Sequence, residues 1–243
     1  MDGSLDGGWA VQAQITNSGV LNLAGEVTLP KIENPLNGTG TVLLSSILDL
    51  EGETLDVNDS FGELVLDGGF SVNTIRGGIT NGTLNITGSG NVNAIVAVYS
   101  GYLENVTVEG EMRLTNPGTW LHIDNGLTLN GTIRLQGAGG ALAFVGDETI
   151  NGSGSIIFDT TEGNRTDLLT FKEAGTVTIG SGITLEGGRA TFGRNTGFPM
   201  SLVNQGTIRA NVADESIIIE VANGSFDNQG TLEELNGGTI VLP

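Results

Sequence analysis

The sequence predicts an all-β fold: a single-stranded parallel β-helix, or β-solenoid, of about ten three-sided coils forming one domain over residues 1–243. Three observations carry that prediction. A glycine-led motif returns about every 23 residues, short bursts of strict apolar–polar alternation fill each repeat, and Gly 40 stands against Pro 5. Glycine in such excess serves turns. Hydrophobic residues at 38% in regular alternation argue against a disordered chain, and the lack of a third-position glycine period excludes collagen.

Along the chain, residues 1–14 (MDGSLDGGWAVQAQ) carry neither a basic n-region nor an apolar h-region, so they read as an N-terminal cap or as residues added for expression and not as a signal peptide. The motif, glycine with an apolar residue two positions on, then starts at Gly19, Gly40, Gly62, Gly82, Gly110, Gly131, Gly154, Gly188, Gly206 and Gly230. Within the repeats the alternation is that of strands. Leu121-x-Ile123, Leu127-x-Leu129 and Ile133-x-Leu135 make three bursts in one coil. Val177-x-Ile179, Ile183-x-Leu185 and Ala190-x-Phe192 read as the same triplet, with DNGLTLNG and GSGITLEG as cognate segments. Helical spacing shows only weakly, near 45–52 and 165–175.

Stacked at about 4.8 Å per coil, ten coils make a rod roughly 45–50 Å long, and inward Leu, Ile and Val form ladders that no coil could bury alone. Asn17, Asn81, Asn130, Asn204 and Asn228 precede the key glycines by one or two residues. Asparagine tolerates the left-handed backbone of a sharp corner, so these positions are expected to be corners that stack as an asparagine ladder. The 28-residue step after Gly82 and the 34-residue step after Gly154 predict loops or hidden coils, and 193–201 is a third irregular stretch. The terminal LNGGTIVLP ends in an apolar strand, which reads as a truncation point of a longer exported protein or as a contact for end-to-end self-association.

The formal charge of −19 excludes nucleic acid as a natural partner, since its phosphates need a basic surface. Charge of this size keeps a protein soluble and separate, and suits a secreted setting. With no cysteine there is no disulfide, thiolate metal site or thiol nucleophile. No run of about 18 apolar residues occurs, so no transmembrane helix and no membrane insertion by this segment is predicted. Nine Asn-x-Ser/Thr strings occur, several of them the Asn-Gly-Thr corner counted again.

The run LHIDNGLTLNGTIRLQGAGGALAF and the units LVNQGTIRA and FDNQGTLEEL resemble the passenger regions of bacterial autotransporters and filamentous-haemagglutinin-like exoproteins. The likeness covers about 15–242 and rests on structural motifs. It implies a right-handed parallel β-helix on the bacterial cell surface or outside the cell, adhesive in role, with host-cell, matrix or polysaccharide ligands. Parallel crossovers favour the same hand. No functional residue carries over.

Candidate chemistry is sparse. The Asn-Thr-Asp, Asp-Asp, Gly-His-Gly and Arg-Ile-Lys segments of pectin hydrolases are missing, and His122 is expected outward at the surface between Leu121 and Ile123. No catalytic residue, metal ligand or cofactor is assigned. Calcium stays open, although the nonapeptide and EF-hand loops that bind it do not occur. Acidic clusters at Asp49, Glu51, Glu53, Asp56 and Asp59, and at Glu104, Glu109 and Glu111, are the candidates for paired carboxylates. Arg113 and Arg134, 21 residues apart, should stack one above the other. They form either a groove for an anionic sugar or a site of local neutralisation by acids such as Glu111. Trp120, displayed after TNPGT, is the candidate for stacking on a sugar ring. Threonine ranks of the Thr-x-Thr kind, which ice binding would require, do not recur in register. A structural or adhesive segment, a carbohydrate-binding or polysaccharide-cleaving β-helix, and a self-assembling filament subunit are the functional readings.

Overall fold

The computed structural model describes residues 3–5, 9–10, 15–16, 18–28, 36–57, 61–66, 77–86, 101–115, 117–159, 167–171, 173–193, 198–221 and 223–243. Every described element is a strand, every pairing between strands is parallel, and the chain winds into a β-solenoid. The weak helical spacing at 45–52 and 165–175 yields to strand: Leu36–Asp49 and Asp167–Phe171 are both extended.

Alternation along each strand sends one set of side chains inward, and in-register stacking turns that set into columns. Leu48, Ile79, Leu103, Ile123 and Phe144 lie one above another. So do Met112, Ile133, Ile156, Leu185 and Ile208. All ten are at most 1% exposed, so each coil shelters the next from water and none has a core of its own.

The glycine motif marks one column with fidelity. Glu111–Leu114 of the strand Gly101–Leu114, then Thr132–Leu135, Ser155–Phe158, Thr184–Gly187, Thr207–Ala210 and Thr231–Glu234, stack in unbroken register. The residues just before them are Gly110, Gly131, Gly154, Ile183, Gly206 and Gly230. Gly188 is therefore not a member, and Ile183 fills the slot inside the 34-residue step. Gly62 and Gly82 share one turn, because Phe61–Leu66 and Gly78–Ile86 both stack on the single strand Leu36–Asp49. The frame of the second triplet also shifts: Thr184–Gly187 stacks above Thr132–Leu135 through Ser155–Phe158, so GSGITLEG is cognate to GTIRL and not to DNGLTLNG.

The column glycines are there for room. A Cβ on Gly131 would overlap the carbonyl oxygen of Gly110, and one on Gly230 that of Gly206. Gly131→Ala should therefore cost about 2–3 kcal/mol through overpacking against backbone that cannot retreat. Chemical denaturation checks this, and a change near zero contradicts it.

Of the expected asparagine corners Asn81 is left-handed, and it has company at positions without the glycine motif. Glu51, Asn81, Asn105 and Asn125 have φ between 51° and 53°, where the chain turns between the first and second strand segments of a coil. Asn130, Asn204 and Asn228 do not adopt positive φ, contrary to expectation, because the glycine after each supplies closeness and not handedness. Asn17 lies outside the described residues. The asparagine ladder exists in two places, Asn105 Nδ2 to Asn81 Oδ1 at 3.1 Å and Asn204 Nδ2 to Asn228 Oδ1 at 2.7 Å.

Candidate functional surface

Outward side chains also form columns, and the arginines occupy one of them. Arg113, Arg134, Ile157, Glu186, Arg209 and Glu233 stack in that order. Arg113 and Arg134 are thus stacked, as the 21-residue spacing implies. Arg113 pairs with Glu111 through Nε, while Arg134 reaches Glu111 below at 3.3 Å and Asp159 above at 3.0 Å. Arg209 repeats the arrangement, with Glu186 at 3.1 Å below and Glu233 at 2.6 Å above. Burial works against ionisation of Glu111, but Arg113 and Arg134 outweigh it and hold its carboxyl below the usual range. Glu233 and Glu186 in the same way hold the Arg209 guanidinium charged to higher pH. These pairs are about a third exposed, so each is worth at most about 1 kcal/mol. Replacing Arg134 by Met should lower stability by about 0.5–1 kcal/mol at low salt and by less in 1 M salt, read from denaturant midpoints.

A second outer face carries Trp120, His122 and Asp124 in one row, with Tyr102 and Glu104 directly beneath His122 and Asp124. His122 points away from the aliphatic core as alternation requires, yet it is only 5% exposed. The expectation of a surface histidine fails because this face is covered. Tyr102 lies below it, Ala143 lies above, and the half-buried Trp120 sets its ring 6.3 Å away at 41°. Ala141, Ala143, Thr170 and Thr191 on the same outer side are buried too.

At the edge of that face two carboxylates from adjacent coils meet one hydroxyl. Tyr102 Oη lies 2.9 Å from Glu104 Oε2 and 2.8 Å from Asp124 Oδ2. Burial, then the bonds to Asp124 and Glu104, push the phenol far above its ordinary value, so it stays protonated. Asn125 Nδ2 donates to Glu104 Oε1 at 2.9 Å. The corner Asn125–Gly126, left-handed at both residues, aims its two backbone N–H groups at Glu148 of the coil above, at 2.9 and 2.6 Å. Successive N–H groups in such a turn form a nest for an anion, and the carboxylate of Glu148 fills it. Burial pushes the Glu148 carboxyl up despite both bonds, and the charges of Asp124 and Asp147 add to the push.

The acidic clusters read from the sequence are dispersed by the winding. Glu104 joins Tyr102, Glu109 lies in register with Asn85, and Glu111 joins the arginines. Asp49 accepts from Asn81 and Asp56 from Asn85. Asp59 lies outside the described residues, as do most of the irregular stretches at 87–100, 160–166 and 194–197. Among the described residues no group of three or more His, Asp or Glu is placed to hold a metal ion. Hydroxyls do line up in single file: Thr54, Thr83, Thr107 and Thr128 form one outward column, flanked not by threonine but by Asp56, Asn85 and Glu109. Sequence reasoning offered Tyr102 only as an aromatic for sugar stacking and missed Asp124 and Glu148, whose partners lie about one coil away and leave no local signal. No protein-family model matches this chain, and no curated protein or solved structure matches it either.

Proposed function

We propose that this chain is a non-catalytic structural and adhesive segment of a large bacterial cell-surface or secreted protein, with the solenoid as spacer and scaffold. One observation carries the reading: outward polar side chains are spent on the neighbouring coil. Arg134, Arg209, Asn105 and Gln205 each bond to a residue 23 to 25 positions away. A rod stitched along its own axis is stiff and offers repeated faces to host-cell, matrix or polysaccharide ligands. The charge of −19 suits an extracellular place. Retention of the purified chain on surfaces coated with matrix protein or polysaccharide is the test. Saturable binding without release of reducing or unsaturated ends is expected, and release of such ends overturns the reading.

A polysaccharide-cleaving β-helix is the second reading, favoured by Glu104 and Asp124 converging on Tyr102 on the outer face that also holds Trp120. Paired carboxylates are what glycoside cleavage requires. Any cleavage found must then vanish in both Glu104→Gln and Asp124→Asn, and survival in either rules that pair out.

A further inference from the structure

One inward column changes character part-way. Leu127, Ile150 and Ile179 are followed by Asn204 and Asn228. Asn204 is 0% exposed. Its Nδ2 donates to Asn228 Oδ1 at 2.7 Å and to the Thr231 carbonyl at 3.4 Å, while its Oδ1 has no hydrogen-bond partner. Ile179, directly beneath, offers no donor. An amide oxygen buried without a donor is destabilising, whereas an alkyl side chain of similar volume would continue the ladder. Stability alone does not explain the asparagine.

Register does. Inward residues recur with period two, so a parallel strand of uniformly aliphatic rungs can slide by two residues and still present apolar side chains to the core. An amide removes that freedom. In the observed register Leu202 lies under Phe226 and Asn204 under Asn228. Sliding the upper strand by two residues sets either Phe226 or Gly230 over Asn204, and the buried amide loses its partner. The outside of the same corner repeats the match, since Gln205 Nε2 donates to Gln229 Oε1 at 3.3 Å. A single buried asparagine fixes register in coiled coils by the same physics, at a cost in stability.

We propose that the Asn204–Asn228 amide pair is a register lock that seats the C-terminal coil, Phe226–Val241, on the coil beneath. The two NQG strings, at 204–206 and 228–230, are the lock and its mate. This holds whether or not the segment is adhesive.

The chain has no cysteine, so disulfide reporters can be placed without background. Ser201 and Ser225 face each other across the two coils, with Oγ atoms 3.3 Å apart, and Ser201→Cys/Ser225→Cys reports the observed register. Val203→Cys/Ser225→Cys and Ser201→Cys/Asp227→Cys report slides of two residues in either direction. In the observed register their Cα atoms are about 8 Å apart, beyond the span of a disulfide. Each pair is oxidised in the otherwise natural chain, in Asn204→Leu and in Asn204→Leu/Asn228→Leu. With both asparagines present only the first pair should link. In the leucine variants a slid pair should link roughly tenfold more, equivalent to about 1.4 kcal/mol, while the thermal midpoint of Asn204→Leu stays level or rises. The proposal is overturned if neither leucine variant links a slid pair, or if Asn204→Leu melts at a lower temperature than the natural chain.

Discussion

Phe158→Ala is expected to destabilise the solenoid by about 3–5 kcal/mol, the cost of a large buried aromatic removed where the site cannot collapse. Its column shows why collapse fails. Leu135 lies beneath Phe158, but Gly187 and then Ala210 follow above it, so one large ring fills space for two small residues. Phe158 is 2% exposed and its ring sits 5.5 Å from that of Phe192, tilted by 44°, an aromatic contact that the alanine also forfeits. Gly187 cannot grow to compensate, since its φ of 131° is strained for any side chain and a Cβ there would overlap the Phe158 carbonyl oxygen. Stability in a stacked repeat is mostly a sum of nearest-neighbour terms, so the damage should be local before it is global. Hydrogen exchange should accelerate first at 155–158 and 184–187, which pair with each other. An urea midpoint that places the variant within about 1 kcal/mol of the natural chain would show that the neighbouring coils close the cavity after all.

Phe158 is also an example of what could be read in advance. Alternation in SIIF puts it inward, just as it puts Leu121, Ile123, Ile133 and Leu135 inward, and all of these are buried. That it faces Gly187 could not be read, because stacking partners are one coil away and coil length varies. The interval from Leu127 to Ile150 is one coil, and so is the longer one from Ile150 to Ile179. Ile183 standing in a glycine slot was enough to misplace a whole triplet. Period two likewise tells which side of its own strand a residue takes and not whether that side is covered. His122 was legible as pointing outward and illegible as buried. At the candidate surface the Arg113 and Arg134 stack followed from spacing, whereas Tyr102 between Glu104 and Asp124 needed the register of two coils.

Glu148→Ala is expected to cost about 1–3 kcal/mol, because Glu148 takes an inward place in line with Val177, Leu202 and Phe226 and its loss leaves two half-buried N–H donors without an acceptor. Glu148 is 4% exposed, and its oxygens take the N–H groups of Asn125 and Gly126, the corner that turns the coil beneath. That corner is left-handed at both residues and is held from above by this one carboxyl. Glu148→Gln keeps one acceptor and turns the other into a donor facing Asn125 or Gly126, so it should fall between the natural chain and the alanine variant. Both variants separate from the natural chain with pH, since neither carries a titrating group at 148. The folded protein raises the Glu148 carboxyl above its ordinary value, so the folded state holds that proton more tightly than the unfolded chain. The resulting stabilisation is complete below about pH 4.3, the ordinary glutamate value, and is lost as pH rises through the raised value. Glu111, held low by Arg113 and Arg134, has the opposite sense: its stabilisation is present above its ordinary value and lost as pH falls through the lowered one. Between the ordinary glutamate value and the raised value of Glu148 lies a window in which the natural chain should lose stability from this carboxyl as pH rises, and in which Glu148→Gln should lose none from this source. Urea midpoints taken across that window decide the matter. If Glu148→Gln keeps the full slope of the natural chain, the proton is held elsewhere and the Asn125–Gly126 nest does not bind a titrating carboxylate.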